Sequence, residues 1–349
     1  TGEVFPHDVK PEGPFGDHLG YYSLKHDFPL MKVHKVYHKK EAIWPFTVVG
    51  RPPQEDTSFG AMIHELAGDT IQLELPGVKA VHAVDASGVH PLLFAIGSER
   101  YTPYVKERTP AEILTQANHI LGFGQMSLAK FLFIAAEEDN KNLNIDDEEA
   151  FVHHMLERVN WERDLHFYTN TSIDTLDYSS EGLNTGSKVV IAAAGDKCRE
   201  LAHSFESSKP LPKGILNTKL VAPGILAVSC APFESYKQAS VEMEIWAKEL
   251  KESIGDKINT LPLLLMTDDA NFVAETYNNF LWTTFTRANP SHDIYGIDAF
   301  TKHKHWGCKG SLLIDTRIKP HHAPPLLLDE KVEKRVDALF SKHPELSKL

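Results

Sequence analysis

Apolar positions in the first hundred or so residues fall in short runs: Met31 to Tyr37, Ile43 to Val49, Val78 to Val84 and Pro91 to Ile96. Gly and Pro punctuate these runs, a pattern that predicts strands. One helical period interrupts them near Ser58 to Leu66. Over 109–128 the period changes, and Thr109-Pro110-Ala111-Glu112 reads as an N-cap followed by proline at the first helical position. That helix leads through Gly122 and Gly124 to the wholly apolar run Phe131 to Ala136. From there strands are expected at Asp164 to Tyr168, Lys188 to Ala193, Ile225 to Cys230 and Leu263 to Met266. Helices are expected between them at Asp147 to Asn160, Gln238 to Ile254 and Val273 to Thr284. Strands alternating with helices imply crossover connections and a largely parallel sheet.

The alternation contains an echo. The run from Phe131 ends in Glu137, Glu138, Asp139 and Asn140, and the run from Leu263 ends in Asp268, Asp269 and Asn271. Each is followed by a helix, an Asp-containing strand and a Gly-Ser-Lys or Lys-Gly-Ser approach to another apolar run. We read this as duplication of one α/β unit. The expected fold class is therefore α/β, in three parts. A β-rich, partial barrel segment spans 1–105, an α/β unit with its linker helix spans 106–205, and an extra repeat with a terminal helix spans 206–349.

Composition narrows the function. The 349 residues carry 36 basic and 48 acidic side chains, a net charge of −12 with no long basic run. Such a surface argues against sequence-independent nucleic-acid binding. The 19 histidines would soften this charge below neutrality. Cys198, Cys230 and Cys308 show no CxxC spacing, which suits a reducing, cytoplasmic setting. The longest apolar stretches are strand-sized, short of the ~20 residues that a membrane-spanning helix needs.

The densest local signal is Pro11-Glu12-Gly13-Pro14-Phe15-Gly16-Asp17-His18-Leu19-Gly20-Tyr21-Tyr22. Its glycines and prolines make a tight irregular loop able to hold Glu12 and Asp17 over one cavity. Two acids in one low-dielectric site ionise unequally, so one can donate a proton while the other stays charged. The alternative is a surface loop with solvated acids. This string resembles the signature of the UbiD-type decarboxylases, the prenylated-flavin enzymes that include polyprenyl-4-hydroxybenzoate decarboxylase. The resemblance continues in order: Thr47 to Asp56 with its Gly50-Arg51-Pro52-Pro53, Leu75 to Val78 with Val81-His82, Ala129 to Asp139, Ile173-Asp174-Thr175-Leu176-Asp177, and Gly182 to Lys188. Trp282 to Asp293 resembles a further family segment and supports the duplication.

The resemblance implies a flavin-reductase-like split β-barrel in the first segment. It also implies reversible, non-oxidative decarboxylation of an aromatic acid, a quinone precursor of the 4-hydroxybenzoate type, with prenylated FMN, Mn²⁺ and K⁺. A small phenolic or acrylic acid is the rival substrate, and an oligomerisation portion without catalysis is the rival outside enzymes. By the same resemblance Asp17 is the mobile proton donor and acceptor, and Glu12 belongs to an ionic network with an arginine. Lys130 is the contact to the cofactor phosphate; the other reading is a snorkelling lysine at a strand start. In the family the metal ligands lie before the carboxylate loop, and only eleven residues precede Glu12 here. The chain is thus expected to be the C-terminal part of a longer enzyme, to hold no metal ligands, and to be inactive alone. A homo-oligomer is expected, cytoplasmic or at a membrane periphery if the substrate is polyprenylated.

Other signals rank lower. His303-Lys304-His305-Trp306-Gly307-Cys308, with His321-His322, matches no standard zinc spacing and reads as a polar loop. His153 and His154 cannot both face one way on a helix. Glu330 to Lys342 reads as a terminal helix, either solvated or docked on a neighbouring protomer.

Overall fold

The computed structural model describes residues 1–45, 48–101, 104–206, 210–343 and 345. It divides into two compact units, one made of Thr1–Arg51 with Ala323–Leu349 and the other of Pro52–His322. Each is described by itself.

The smaller unit is built on an antiparallel ribbon, β1 (Gly2–Glu12) with β2 (His26–Val33), registered from Gly2↔Val33 to Glu12↔His26. The strand expected from Met31 instead begins at His26 and stops at Val33. The next amides, of His34 and Lys35, turn back to the Thr1 carbonyl at 2.9 and 3.2 Å. This ribbon is all that corresponds to the expected split barrel, since no closed barrel occurs among the described residues. Of the run Ile43 to Val49, Phe46 and Thr47 lie outside the described residues and the remainder carries no strand.

The larger unit opens with α1 (Glu55–Glu74), well beyond the expected Ser58 to Leu66. The extension is anchored by Ile71 and Leu75, which join the apolar cluster on one face of the first sheet. That sheet is formed by β3 (Val78–Ala83), β4 (Leu92–Gly97), β5 (Phe131–Ala136), β6 (Leu165–Thr171) and β7 (Gly186–Ala193), in the order β3-β4-β5-β7-β6. It thus takes strands from both sides of residue 105. Strands β4 and β5 are buried throughout and covered on both faces, which is why they read as unbroken apolar runs. Helix α2 (Glu112–Leu121) crosses from β4 to β5, and α3 (Glu148–Arg158) lies between β5 and β6.

The cap expected from Thr109 and Pro110 is supplied from elsewhere. Helix α2 begins at Glu112, and its cap residue Ala111 offers no side-chain bond. Glu99, just past the end of β4, accepts from the amides of Ala111, Glu112 and Ile113 at 2.8, 3.0 and 3.2 Å. A remote carboxylate therefore satisfies the orphan donors at the positive helix end. In α3 the cap is local, the Asp147 side chain accepting from the Ala150 amide at 3.0 Å.

The second sheet uses β8 (Ile215–Ala222), β9 (Ile225–Cys230), β10 (Leu263–Thr267), β11 (Ile294–Gly296) and β14 (Leu312–Asp315). Between β11 and β14 the chain makes a separate hairpin, β12 (Ala299–Lys302) and β13 (His305–Cys308). The sheet order is β8-β9-β10-β14-β11. In both sheets an antiparallel hairpin opens the unit, its second strand runs parallel to the next two, and the other edge is antiparallel. The two sheets therefore share one strand order and one sequence of directions. Strand β8 is hidden in the sequence by the surrounding prolines and by its half-exposed residues.

Helix α4 (Tyr236–Ile254) follows β9. The single helix expected over Val273 to Thr284 is two, α5 (Ala270–Glu275) and α6 (Tyr277–Arg287). Thr276 breaks them with extended backbone and caps the second, accepting from the Asn279 amide at 3.1 Å. A short turn, α7 (Pro290–Asp293), then leads to β11. From Asn279 to Arg287 every residue of α6 is buried, and Phe285 meets Phe131 and Phe133 edge to face at 5.0 and 5.8 Å. The two sheets thus share one continuous core. The terminal helix α8 (Glu330–Lys342) belongs to the smaller unit and buries none of its residues. No helix among the described residues is long and apolar enough to cross a membrane.

The α3 histidines part as their spacing requires. His153 is half-buried and lies 3.3 Å from Glu157, whereas His154 is buried. Burial, with Arg158 nearby, lowers the His154 pKa to about 4. A histidine held neutral in the fold binds fewer protons than its unfolded counterpart between pH 6.5 and about 4, so stability falls as pH drops through that window. His154→Gln cannot take up that proton, and should spare about 2 kcal/mol of the acid loss, a figure discounted for partial solvent screening. Parallel urea-stability profiles for the two proteins across this range would contradict it.

Candidate functional site

The acid-bearing loop connects the ribbon strands. Gly13 has φ +93°, and a Cβ there would stand 2.9 Å from the Leu24 carbonyl oxygen, so only glycine lets the loop fold back on itself. Within the loop the Asp17 amide donates to Tyr21 O at 2.9 Å, and the Gly20 amide donates to Asp17 O at 3.1 Å. The Asp17 side chain is 1% exposed, and its Oδ1 accepts from the amides of Leu19 at 2.9 Å and Tyr21 at 3.2 Å. This is the aspartate-turn chemistry that suits a short acid beside glycine.

A second segment of the same unit closes the loop. The Tyr22 amide donates to Pro324 O at 2.8 Å, the Leu326 amide donates to Gly20 O at 3.1 Å, and Leu326 packs against Gly16. Glu12 is placed differently. It ends β1 opposite His26 and is exposed, so the two acids occupy unlike surroundings.

Lys130, expected at a cofactor phosphate, has an internal set of partners instead. Its Nζ lies 2.8 Å from Asp177 Oδ2, donates to Ser179 Oγ at 2.7 Å and reaches Thr286 O at 3.5 Å. The side chains of Lys130 and Asp177 are 1% and 2% exposed. Burial lowers the lysine pKa, and Asp177 opposes that shift. The matched segments around Asp177 also hold each other. Asn184 donates to Ile173 O and Thr175 Oγ1 at 3.3 and 2.7 Å, and Gly186 leaves room for Ile173. Asp174 accepts from the Leu176 amide and lies 2.5 Å from His90 Nδ1.

A second buried pair, which sequence reasoning did not single out, lies in the same electrostatic field: Lys319 Nζ is 3.3 Å from Asp293. Burial raises the Asp293 pKa to about 7 against the pull of Lys319. Close by in sequence, Arg317 forks onto Asp315, bonds Glu242 at 3.0 Å, and lies 5.5 and 5.2 Å from the Phe233 and Trp246 rings. The available sequence signal was a run of charges placed directly after the buried strand β14.

The acids that end β5 and β10 are structural in matching ways. Asp139 pairs with Arg108 and accepts from the Gly195 amide at 2.8 Å. Asp268 lies 3.3 Å from Arg287 and accepts from the Ile318 amide at 2.8 Å. Each ties its strand to the segment that follows β7 or β14.

Two family profiles match this chain. The profile described as the 3-octaprenyl-4-hydroxybenzoate carboxy-lyase C-terminal domain covers residues 57–193, and that described as the Rift-related domain of the same carboxy-lyase covers residues 1–52. Among curated proteins, a 4-hydroxybenzoate decarboxylase subunit from Chlamydia pneumoniae is 35% identical over 337 residues, 95% of this chain and 53% of that protein. An uncharacterized protein of Chlamydia caviae is 34% identical over 346 residues, 98% of this chain and 55% of that protein. The chain spans about half the length of these relatives. Among solved structures, vanillic acid decarboxylase of Sedimentibacter hydroxybenzoicus in its closed form is 19% identical with a TM-score of 0.47, over 61% of this chain and 42% of that one. The UbiD-class enzyme HmfF of Pelotomaculum thermopropionicum in complex with FMN is 19% identical with a TM-score of 0.42, over 60% of this chain and 43% of that one.

Proposed function

This chain belongs to the UbiD family of carboxy-lyases, and from that membership we propose that the whole protein decarboxylates an aromatic acid without oxidation. The carbon–carboxylate bond breaks, CO₂ leaves, and a proton takes its place on the ring carbon. The observation that carries the reading is Asp17, a carboxyl enclosed in a glycine-bounded turn with one oxygen fixed by two amides. The resemblance implies a mobile acid, whereas here one oxygen is held by two amides; that fixes the plane of the acid, so a proton is delivered along one direction. In the reverse reaction the same group takes the proton back. Glu12, exposed at the strand end, keeps the role that the resemblance implies, a member of an ionic network with an arginine. The name of the C. pneumoniae relative supports an acid of the 4-hydroxybenzoate type.

The resemblance implies prenylated FMN with Mn²⁺ and K⁺ for the whole protein, and accepting the electron pair left by CO₂ is the work of the flavin. Lys130 does not fit a phosphate contact, because its ammonium is enclosed by Asp177, Ser179 and Thr286. We give it the task of joining β5 to the Asp177 turn and to α6. The flavin-loaded whole protein is expected to release CO₂ from 4-hydroxybenzoate. The reading fails if that acid and its phenolic and acrylic analogues are all left intact by folded, flavin-bound protein.

A homo-oligomer is part of the proposal. Helix α8 exposes Val332, Val336, Leu339 and Phe340, which fall at helical spacing on one stripe. Replacing Val336 and Leu339 by glutamate should lower the mass seen by light scattering. An unchanged mass would remove α8 from the contact. Three unpaired thiols, of which only Cys198 is exposed, support a reducing, cytoplasmic compartment.

A further inference from the structure

The β12–β13 hairpin has no counterpart in the first sheet, where a strandless loop joins β6 to β7. Its two-residue turn is His303-Lys304, with φ of 52° and 67°. Positive φ at both positions defines the hairpin turn that Asn-Gly fills best, so histidine and lysine sit there at a conformational cost. The hairpin is clamped from below. A Cβ on Gly307 would meet Trp161 O at 2.7 Å, and the Cys308 amide donates to that oxygen at 3.2 Å. His305 Nε2 donates to Glu162 O at 3.1 Å. The strained cationic tip is therefore fixed in place.

Between this hairpin and β6 lies an open cleft of about 530 Å³, within the range of small-molecule sites. One wall is apolar, with Phe167, Ile294 and Trp306; the Phe167 and Trp306 rings meet edge to face at 5.8 Å. The rim carries His166, His303, Lys304 and His305, and no carboxylate lines the cleft among the described residues. In a chain of net charge −12, a lysine and three imidazoles without an acid single this cleft out. The His166 and His305 rings stand 5.9 Å apart, and burial, then His305, lowers the His166 pKa. An anion seated between them relieves that penalty.

We propose that this cleft binds an amphipathic organic anion, a carboxylate on an aromatic or aliphatic body, with the body against Phe167 and Trp306 and the charge under the hairpin tip. A bare anion would leave the apolar wall wet, and a neutral aromatic would leave the Lys304 ammonium unused. The inference rests on the cleft and not on the decarboxylase reading.

Equilibrium dialysis of the 349-residue chain with 2-naphthoate, its neutral isostere 2-naphthamide, and acetate tests it. Naphthoate should bind about tenfold or more tightly than either of the others. The double variant His303→Asn/Lys304→Gly restores the preferred turn, so it should raise Tm while weakening naphthoate about tenfold. Lys304→Gln alone should weaken it about threefold without changing the fold. Undiminished naphthoate binding by the double variant would overturn the proposal. So would naphthamide binding as tightly as naphthoate, or no naphthoate binding at millimolar concentration by folded chain.

Discussion

Asp17→Asn in the whole protein should cut CO₂ release by at least about a hundredfold, the scale of a lost general acid. Flavin content and Tm should hardly move. Asparagine keeps an oxygen able to accept from the Leu19 and Tyr21 amides, so the loop retains its two inner bonds. What it loses is the titrating proton. Asp17→Ala, by contrast, would strand those two amides inside a buried turn and should cost about 1–3 kcal/mol of stability as well. If Asp17→Asn turns over like the wild type, Asp17 is not the proton carrier.

The second large effect is on stability. Lys130→Met leaves the Asp177 carboxylate, whose side chain is 2% exposed, without its countercharge. Breaking such a buried pair from one side costs about 3–5 kcal/mol, because the remaining charge stays desolvated. Lys130→Met/Asp177→Leu removes both charges, and should recover most of that loss. Urea unfolding reads both values. A single-variant loss below about 1 kcal/mol would mean that the pair does not hold β5 to the Asp177 turn.

Much of the larger unit was legible because its central strands are buried on both faces. Phe131 to Ala136 and Ile225 to Cys230 begin and end where their apolar runs do. The echo between the acid-ended strands is matched by the shared strand order of the two sheets, and by the alike bonding of Asp139 and Asp268. Features set by distant partners were not legible. The cap of α2 comes from Glu99, and the partners of Lys130 come from Asp177, Ser179 and α6. No local pattern encodes those contacts. The ribbon's second strand is legible only in part: its apolar run places it from Met31, whereas its pairing with β1 runs from His26 to Val33. The carboxylate loop was found by its glycines and acids. Its closure by Pro324 and Leu326 could be seen only once the chain was folded.

The most direct test of the central claim, that Asp17 moves the proton, isolates that step from loss of CO₂. The phenolic product is incubated with flavin-loaded whole protein in D₂O, and deuterium is followed by NMR at the carbon that would carry the carboxylate. Wild type should exchange that hydrogen, and Asp17→Asn should not exchange it above the uncatalysed rate. Equal exchange by the two proteins would contradict the account.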